Sequence, residues 1–386
     1  MDDARIIFVH DWLTGTRGGE KCLEPLAQRF PQAQLYTLIH ERGRVPQAIE
    51  HLHPKTSFLQ RLPRVTRYYR YLLPVMPVAA GWQLPECDLV LSFSHCVAKS
   101  ARPPAGVPHV CYCFTPMRYA WHLRPAYFRQ RWHAKATDWL LDRLRDWDLA
   151  TSQRVSHFIA ISETVRERIR QCYARDSVVI YPPVDTDYFT PDGSTREDFY
   201  LCVSALAPYK RIDLAILACN RLKRRLIVIG TGQDERHLRS LAGPTIEMKG
   251  WQSNEVIRDH YRRCRALLFP GEEDFGIVPV EAQACGAPVI AYGKGGALET
   301  VLAPGRFFQE QTVEALCEAI REFENQGETN GAELRRQAEQ FRRSRYEQEM
   351  VHFLQKVLQT KRPGSFRSQA SAKHRQVMGE SSPAVE

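Results

Sequence analysis

No stretch of this chain approaches the roughly 18 uninterrupted apolar residues that a membrane-spanning helix requires. The most apolar run, 71–84, is interrupted by Pro74 and Pro77. The start of the sequence, MDDARIIFVHDWL, is acidic and enters a strand pattern at once, so no signal peptide is expected there. The eleven cysteines lack metal-ligand spacing. Cys202, Cys219, Cys285 and Cys317 sit among apolar neighbours, which predicts buried free thiols and a reducing compartment. Cys111 and Cys113, the one close pair, fall on one face of a strand and read as packing.

What is present fits two domains, since 386 residues are enough for two separate cores. Charge divides them. Residues 1–190 carry 25 Lys/Arg against 18 Asp/Glu, whereas residues 191–360 carry 23 against 24. The excess concentrates between Lys55 and Arg145, with 14 basic and 4 acidic residues. A basic first half fits an anionic partner such as a membrane leaflet, a lipid diphosphate or a nucleic acid. For nucleic acid no recognised motif is found, and none is expected as a partner.

Short apolar strands alternate with amphipathic helices throughout. In the first half 5–12, 33–39, 88–94, 109–114 and 157–162 read as strands, and 18–30 as a helix. Ser162 reads as the N-cap of the helix that follows. In the second half FYLCVSAL, RRLIVIG, IEMKGW, ALLFPG and PVIAYG read as strands, each with a helical pattern behind it. This alternation predicts an α/β protein with two parallel sheets. The expected division is a first domain over 1–185, a Pro- and Asp-rich linker over 186–198 and a second domain over 199–343. A helix over 344–360 and a disordered tail over 361–386 complete it.

The stretch from Phe269 to Val301, FPGEEDFGIVPVEAQACGAPVIAYGKGGALETV, carries most of the chemistry. Glu273 and Glu281 flank an Asp274-Phe275-Gly276 turn that opens a helix between two apolar strands. Free backbone N–H groups at a helix start receive phosphate, and carboxylates accept hydrogen bonds from sugar hydroxyls. The stretch resembles the E-x7-E signature, with its surrounding FP-E-FG frame, of the retaining glycosyltransferases of family 4. That resemblance extends over nearly the whole chain to about residue 360. It implies the GT-B fold: two Rossmann-like parallel-sheet domains facing a cleft, with a C-terminal helix crossing back to the first.

The resemblance also implies roles. Glu281 would bind the ribose of a nucleotide-sugar donor, and Glu273 the transferred sugar, with Phe275, Gly276 and Ile277 lending N–H groups. Lys210, in VSALAPYKRIDLAI, matches the lysine that meets the diphosphate. The arginine usual in that segment falls on Ala205, and Arg211 is the candidate replacement. Glycines between a strand and a helix let the backbone approach a phosphate, which nominates Gly18 and Gly19. Gly230 and Trp251 end strands where the nucleobase is expected. Phe114 stands where many members have a histidine, so His95 is the candidate for the cleft, with Arg118 and Tyr119 on the acceptor side. No cofactor and no metal are expected: the Asp-x-Asp spacing of Asp185 and Asp187 falls where the first domain meets the linker. A departing phosphate that takes the acceptor proton makes a general base unnecessary.

Segments 10–24 and 111–123 resemble the branch containing mannosyltransferases of bacterial surface-polysaccharide assembly. This implies GDP-mannose as donor and a lipid-linked saccharide as acceptor. Arg61, Arg64, Arg67 and Arg70 recur every three residues among Tyr68, Tyr69 and Tyr71, which on a helix gives a basic aromatic face suited to an anionic membrane surface. The expected location is the cytoplasmic inner face of the plasma membrane. UDP-glucose or another donor, or a non-catalytic partner subunit of the same fold, are the alternatives.

Overall fold

The computed structural model describes residues 4–121, 134–301, 305–326 and 330–360. The expected tail over 361–386 lies outside the described residues. Two sheets, both wholly parallel, form the framework. The first holds β1 (Ile6–His10), β2 (Gln34–Thr37), β3 (Lys55–Thr56), β4 (Leu89–Ser94), β5 (His109–Cys113), β6 (His157–Ala160) and β7 (Ser177–Val179). Its order is β3-β2-β1-β4-β5-β6-β7. The second holds β8 (Tyr200–Val203), β9 (Leu226–Ile229), β10 (Ile246–Gly250), β11 (Ala266–Phe269), β12 (Val289–Tyr292) and β13 (Arg306–Phe308). Its order is β10-β9-β8-β11-β12-β13.

The inner strands are buried along their whole length, IIFVH in β1 and LVLSFS in β4. Strands covered on both faces read as continuous apolar runs rather than as alternation. Both orders reverse direction at an inner pair, β1 beside β4 and β8 beside β11. Where the crossover connections part to opposite faces, a crevice opens beyond the carboxyl ends of the strands. Each sheet therefore offers one ready position for a site, and the loops after these four strands fill it.

Helix Arg343–Thr360 completes the first domain although it ends the described chain. Tyr346 is fully buried, donates to the Cys22 carbonyl at 2.9 Å and packs edge-on against Tyr112 at 5.7 Å. All eleven cysteines are buried as thiols, Cys111 and Cys113 among them.

One expectation is corrected. The arginine-rich segment 58–82 is not a helix with a continuous basic face. It is three short 3-10 turns, Phe58–Arg61, Val65–Arg67 and Tyr69–Leu72, followed by one helical turn, Met76–Ala79. Pro63, Pro74 and Pro77 each remove a helical donor, and Arg64 adopts a left-handed φ of 53°. Leu59, Val65, Tyr69 and Met76 anchor the turns in the core.

Beneath this segment lies a buried ion pair. The Lys99 ammonium meets the Asp148 carboxylate, which also accepts from Trp121 Nε1 at 2.9 Å and Tyr173 Oη at 2.7 Å. Both charged side chains are almost wholly excluded from solvent. Lys99→Met would leave the Asp148 charge uncompensated, at about 3–5 kcal/mol. A chemical-denaturation titration should show the loss, and Lys99→Met with Asp148→Leu should recover much of it.

Candidate functional site

The second-domain wall of the cleft is built from the loops after β8 and β11. After β8 the chain makes a 3-10 turn, Pro208–Lys210, and enters helix Ile212–Leu222 through Arg211. After β11 it runs through Glu272, Glu273 and Asp274 into helix Ile277–Ala284. Gly276 precedes that helix at φ 94°, a left-handed conformation that costs glycine little. Gly271 touches the Lys210 backbone so closely that a Cβ would lie 2.9 Å from the Lys210 carbonyl oxygen. The two loops are thus pressed together, and Lys210 Nζ contacts Glu273 Oε1.

Burial first, and the Arg118 charge second, pull the Lys210 ammonium down to about 7, with Asp274 opposing. The Glu273 carboxylate in contact with it also favours the charged form. Arg211 does not join this pair: its Nε lies 3.1 Å from Asp213 Oδ1.

Glu281, one turn into helix Ile277–Ala284, is buried and faces the first domain. Its Oε1 receives Lys21 Nζ at 2.6 Å and its Oε2 the Tyr261 hydroxyl at 3.4 Å. Burial pulls Lys21 down, but the charge and hydrogen bond of Glu281 outweigh it and hold the ammonium above its ordinary value. Lys21 belongs to helix Gly18–Arg29, so this pair joins the domains.

A second set of contacts crosses the cleft beside it. Asp274 is engaged by Arg118 and Arg168 of the first domain, and Arg168 also reaches Glu272 at 3.1 Å. Burial pushes the Asp274 carboxyl up, but these two guanidinium groups prevail and keep it below the usual carboxylate range. Ser162, the N-cap of helix Glu163–Tyr173, donates to the Asp274 carbonyl at 2.5 Å. Glu299 of the second domain then accepts from the Glu163 and Thr164 amides at 2.8 and 3.1 Å. A carboxylate from one domain thereby caps a helix of the other. Phe275 packs against Tyr181 and Phe341, with centroids at 5.8 and 5.4 Å.

The first-domain wall holds the glycine pair. A Cβ on Gly18 would lie 3.4 Å from Ile277 Cδ1, so the two helix starts abut. One on Gly19 would lie 2.9 Å from His10 Nε2 and 3.4 Å from Phe114 Cε2. His95 stands near Phe114, ring centroids 6.2 Å apart. Gly230 lies against the Ser204 backbone, and Trp251 is 74% exposed at the end of β10. The side chain of Tyr119 lies outside the described residues.

Lys210, Glu273, Gly276, Ile277, Glu281, Gly18 and Arg118 therefore converge on one cleft, while Arg211 turns away. Sequence reasoning missed Lys21, Arg168, Asp274 and Glu299 as functional residues. Asp274 had a signal, its place inside the acidic turn, and Lys21 stands two residues after the glycine pair. Arg168 and Glu299 lie on ordinary helical patterns that carried none.

Residues 16–188 match the family model Glycosyltransferase Family 4, and residues 186–345 match Glycosyl transferases group 1. Among curated relatives, a GDP-mannose-dependent alpha-(1-6)-phosphatidylinositol monomannoside mannosyltransferase of Mycobacterium tuberculosis is 28% identical over 195 residues, covering 42% of this chain and 51% of that one. A D-inositol 3-phosphate glycosyltransferase of Mycobacteroides abscessus is 33% identical over 140 residues, covering 31% and 32%. The chain thus spans about half or less of the curated relatives it matches. Among solved structures, Anabaena HepE in complex with UDP superposes with a TM-score of 0.69 at 18% identity, covering 91% of this chain and all of that one. Sucrose-phosphate synthase from Thermosynechococcus elongatus gives 0.70 at 17% identity, covering 92% of this chain. These likenesses establish the GT-B fold.

The cap supplied by Glu299 gives a direct expectation. Glu299→Ala removes two acceptors from the start of helix Glu163–Tyr173, a loss of about 1 kcal/mol. Thermal melting should show a lower midpoint, and hydrogen exchange should rise at the Glu163 and Thr164 amides more than elsewhere in the first domain.

Proposed function

Two glycosyltransferase domains in the GT-B arrangement make up residues 16–345, and we propose that together they move a hexose from a nucleotide sugar onto a lipid-linked saccharide in polysaccharide assembly. The donor on this proposal is GDP-mannose, and transfer proceeds with retention and without a metal ion. The observation that carries it is the meeting of Lys210 and Glu273 at the crevice between β8 and β11, beside the start of helix Ile277–Ala284.

Each part of a nucleotide sugar has a counterpart there. A diphosphate competes with Glu273 for the Lys210 ammonium and takes the free N–H groups of the helix start. Positive charge fixed at that point stabilises the leaving group as its bond to the sugar breaks. Glu273, released from the lysine, accepts hydrogen bonds from sugar hydroxyls. Glu281 offers about four lone-pair positions. Lys21 and Tyr261 occupy one each, and the remaining two suit the adjacent hydroxyls of a ribose. Attack of the acceptor on the face the phosphate leaves, with the phosphate oxygen taking the acceptor proton, retains configuration without a protein nucleophile. The mycobacterial mannosyltransferase among the relatives favours GDP-mannose.

The corrected 58–82 segment supports a membrane-facing role in a different form. Tyr71 is 85% and Val78 73% exposed, alongside exposed Phe58, Leu62 and Val75 and the exposed Arg61, Arg64 and Arg67. Apolar side chains standing out among arginines suit the boundary of an anionic leaflet, where a lipid-linked acceptor resides. No helix among the described residues is long and apolar enough to cross a membrane.

Binding and slow hydrolysis of a panel of nucleotide sugars, with and without chelator, test the proposal. Chelator-insensitive selection of GDP-mannose is expected; selection of a UDP-sugar would replace the donor, and binding of none would leave a partner-subunit role. Lys210→Ala should lower turnover by at least 100-fold, as loss of one group aimed at developing charge does. Above pH 7 the wild type must take up a proton at Lys210 to bind a diphosphate, so calorimetry should show GDP affinity falling between pH 7 and 9. Lys210→Arg, which stays charged, should flatten that dependence. At the membrane side, Tyr71→Asp with Val78→Asp should weaken sedimentation with phosphatidylglycerol vesicles several-fold and leave donor hydrolysis unchanged.

A further inference from the structure

Arg118 crosses the cleft to the wall that carries Lys210. It opens a short helical turn, Arg118–Trp121, in the loop after β5. Met117 and Ala120 are buried in the first domain beneath that turn. Arg145 donates to the Ala120 carbonyl through two nitrogens, at 3.3 and 3.0 Å, and Trp121 is held by Asp148. From this fixed mount the Arg118 side chain reaches the Asp274 carboxylate of the second domain. Its guanidinium carbon lies 6.0 Å from the ring centroid of Tyr209, and Lys210 Nζ lies 5.2 Å from the same centroid. One tyrosine ring thus gathers a cation from each domain. The two charges act on each other: after burial, Arg118 is the main influence that pulls Lys210 down.

Neighbouring charges have other partners. Position 205 holds alanine, and Arg211 is turned to Asp213. Lys21 is held by Glu281. Asp11, the residue after β1, is fully buried. Its oxygens accept the backbone amides of His95, Cys96, Val97 and Ala98 at 2.7 to 2.9 Å, so its charge is met within the first domain. Asp274 leaves Arg118 replaceable. Arg118 contacts its Oδ2, while Arg168 contacts Oδ1 and also reaches Glu272 at 3.1 Å. When an anion draws Arg118 away, Asp274 keeps Arg168, and no buried carboxylate is stranded without a cation.

We infer that Arg118 is a catalytic residue that donates to the departing diphosphate in place of the cation absent at Ala205, so that the first domain completes a charge site begun in the second. The inference rests on the assignment of the cleft to a nucleotide sugar. When the bond between the anomeric carbon and the phosphate oxygen breaks, its electron pair stays on that oxygen. The new bond to the carbon comes from the acceptor hydroxyl, or from water in hydrolysis, and the displaced proton passes to the phosphate. Until it arrives, the diphosphate carries one more negative charge. A guanidinium stays charged throughout and can meet two phosphate oxygens at once, whereas burial leaves the Lys210 ammonium at about 7. A cation mounted on the far wall acts only across a closed cleft. Departure of the leaving group therefore needs both domains, while nucleotide binding starts on one.

Hydrolysis of GDP-mannose and UDP-glucose by the full chain, with calorimetric binding of GDP and UDP, tests the inference. Arg118→Ala should lower kcat about 100-fold, as loss of one group aimed at developing charge does. Binding of the nucleoside diphosphate should weaken by less than the turnover does. Asp274→Asn separates this role from that of a strut between domains. It removes the ion pair and leaves the Arg118 charge, so its loss of kcat should be about tenfold smaller than that of Arg118→Ala. An equal or greater loss in Asp274→Asn overturns the inference, as does a loss below about tenfold in Arg118→Ala. Thermal melting checks the fold of each variant, and Arg118→Gln, closer in shape, replaces Arg118→Ala should the latter melt early. A wild-type chain that binds neither nucleotide and hydrolyses neither donor sinks the nucleotide-sugar assignment and this inference with it. A wild-type chain that turns over a donor, matched by its Arg118→Ala variant, sinks this inference alone.

Discussion

Everything functional in this molecule depends on where a parallel sheet lets its connections diverge. Parallel neighbours need crossover connections, and these fold back over the sheet with one hand. At the one strand pair where successive crossovers take opposite faces, the loops separate and leave a crevice. Both sheets here have that pair at their centre, β1 with β4 and β8 with β11. Asp11 and His95 stand above the first, and Lys210 and Glu273 above the second. The two crevices face each other because the helix starts at Gly18 and Ile277 abut.

Charge in the cleft is arranged so that the isolated protein is internally neutralised. Lys210 holds Glu273, Lys21 holds Glu281, and Arg118 and Arg168 share Asp274. A buried charge without a partner is costly, so each of these charged groups in the cleft has a partner from the chain. Two of these three arrangements join one domain to the other. Closing the cleft and satisfying its charges are therefore one event.

The sequence made the local parts of this readable and hid the rest. Glu273, Gly276, Ile277 and Glu281 lie within one strand-turn-helix, where spacing alone places them together. Lys210 was found through the resemblance of its segment, just after a strand, to that of the family. Arg168 meets Asp274 across 106 positions and Glu299 caps Glu163 across 136, and neither pairing leaves a periodic trace. Asp11 carried no signal of its own, since it fell inside the 5–12 strand pattern; its four amide donors come from a loop more than 80 positions away. The 58–82 segment shows the opposite failure. A three-residue recurrence of arginine pointed to a helix, but backbone conformation answers to Pro63, Pro74 and Pro77 before it answers to side-chain period.

Helix Arg343–Thr360 has a consequence for how the chain comes to be made. Tyr346 and the residues after it belong to the core of the first domain, yet they emerge from the ribosome only after the whole second domain. At the usual pace of synthesis that delay is on the order of ten seconds. Through that interval the surface around Cys22 and Tyr112 waits uncovered, and an apolar face left open is what holding chaperones recognise. The order of translation thus makes helix Arg343–Thr360 the element that closes the core of the first domain, after the second domain has been made.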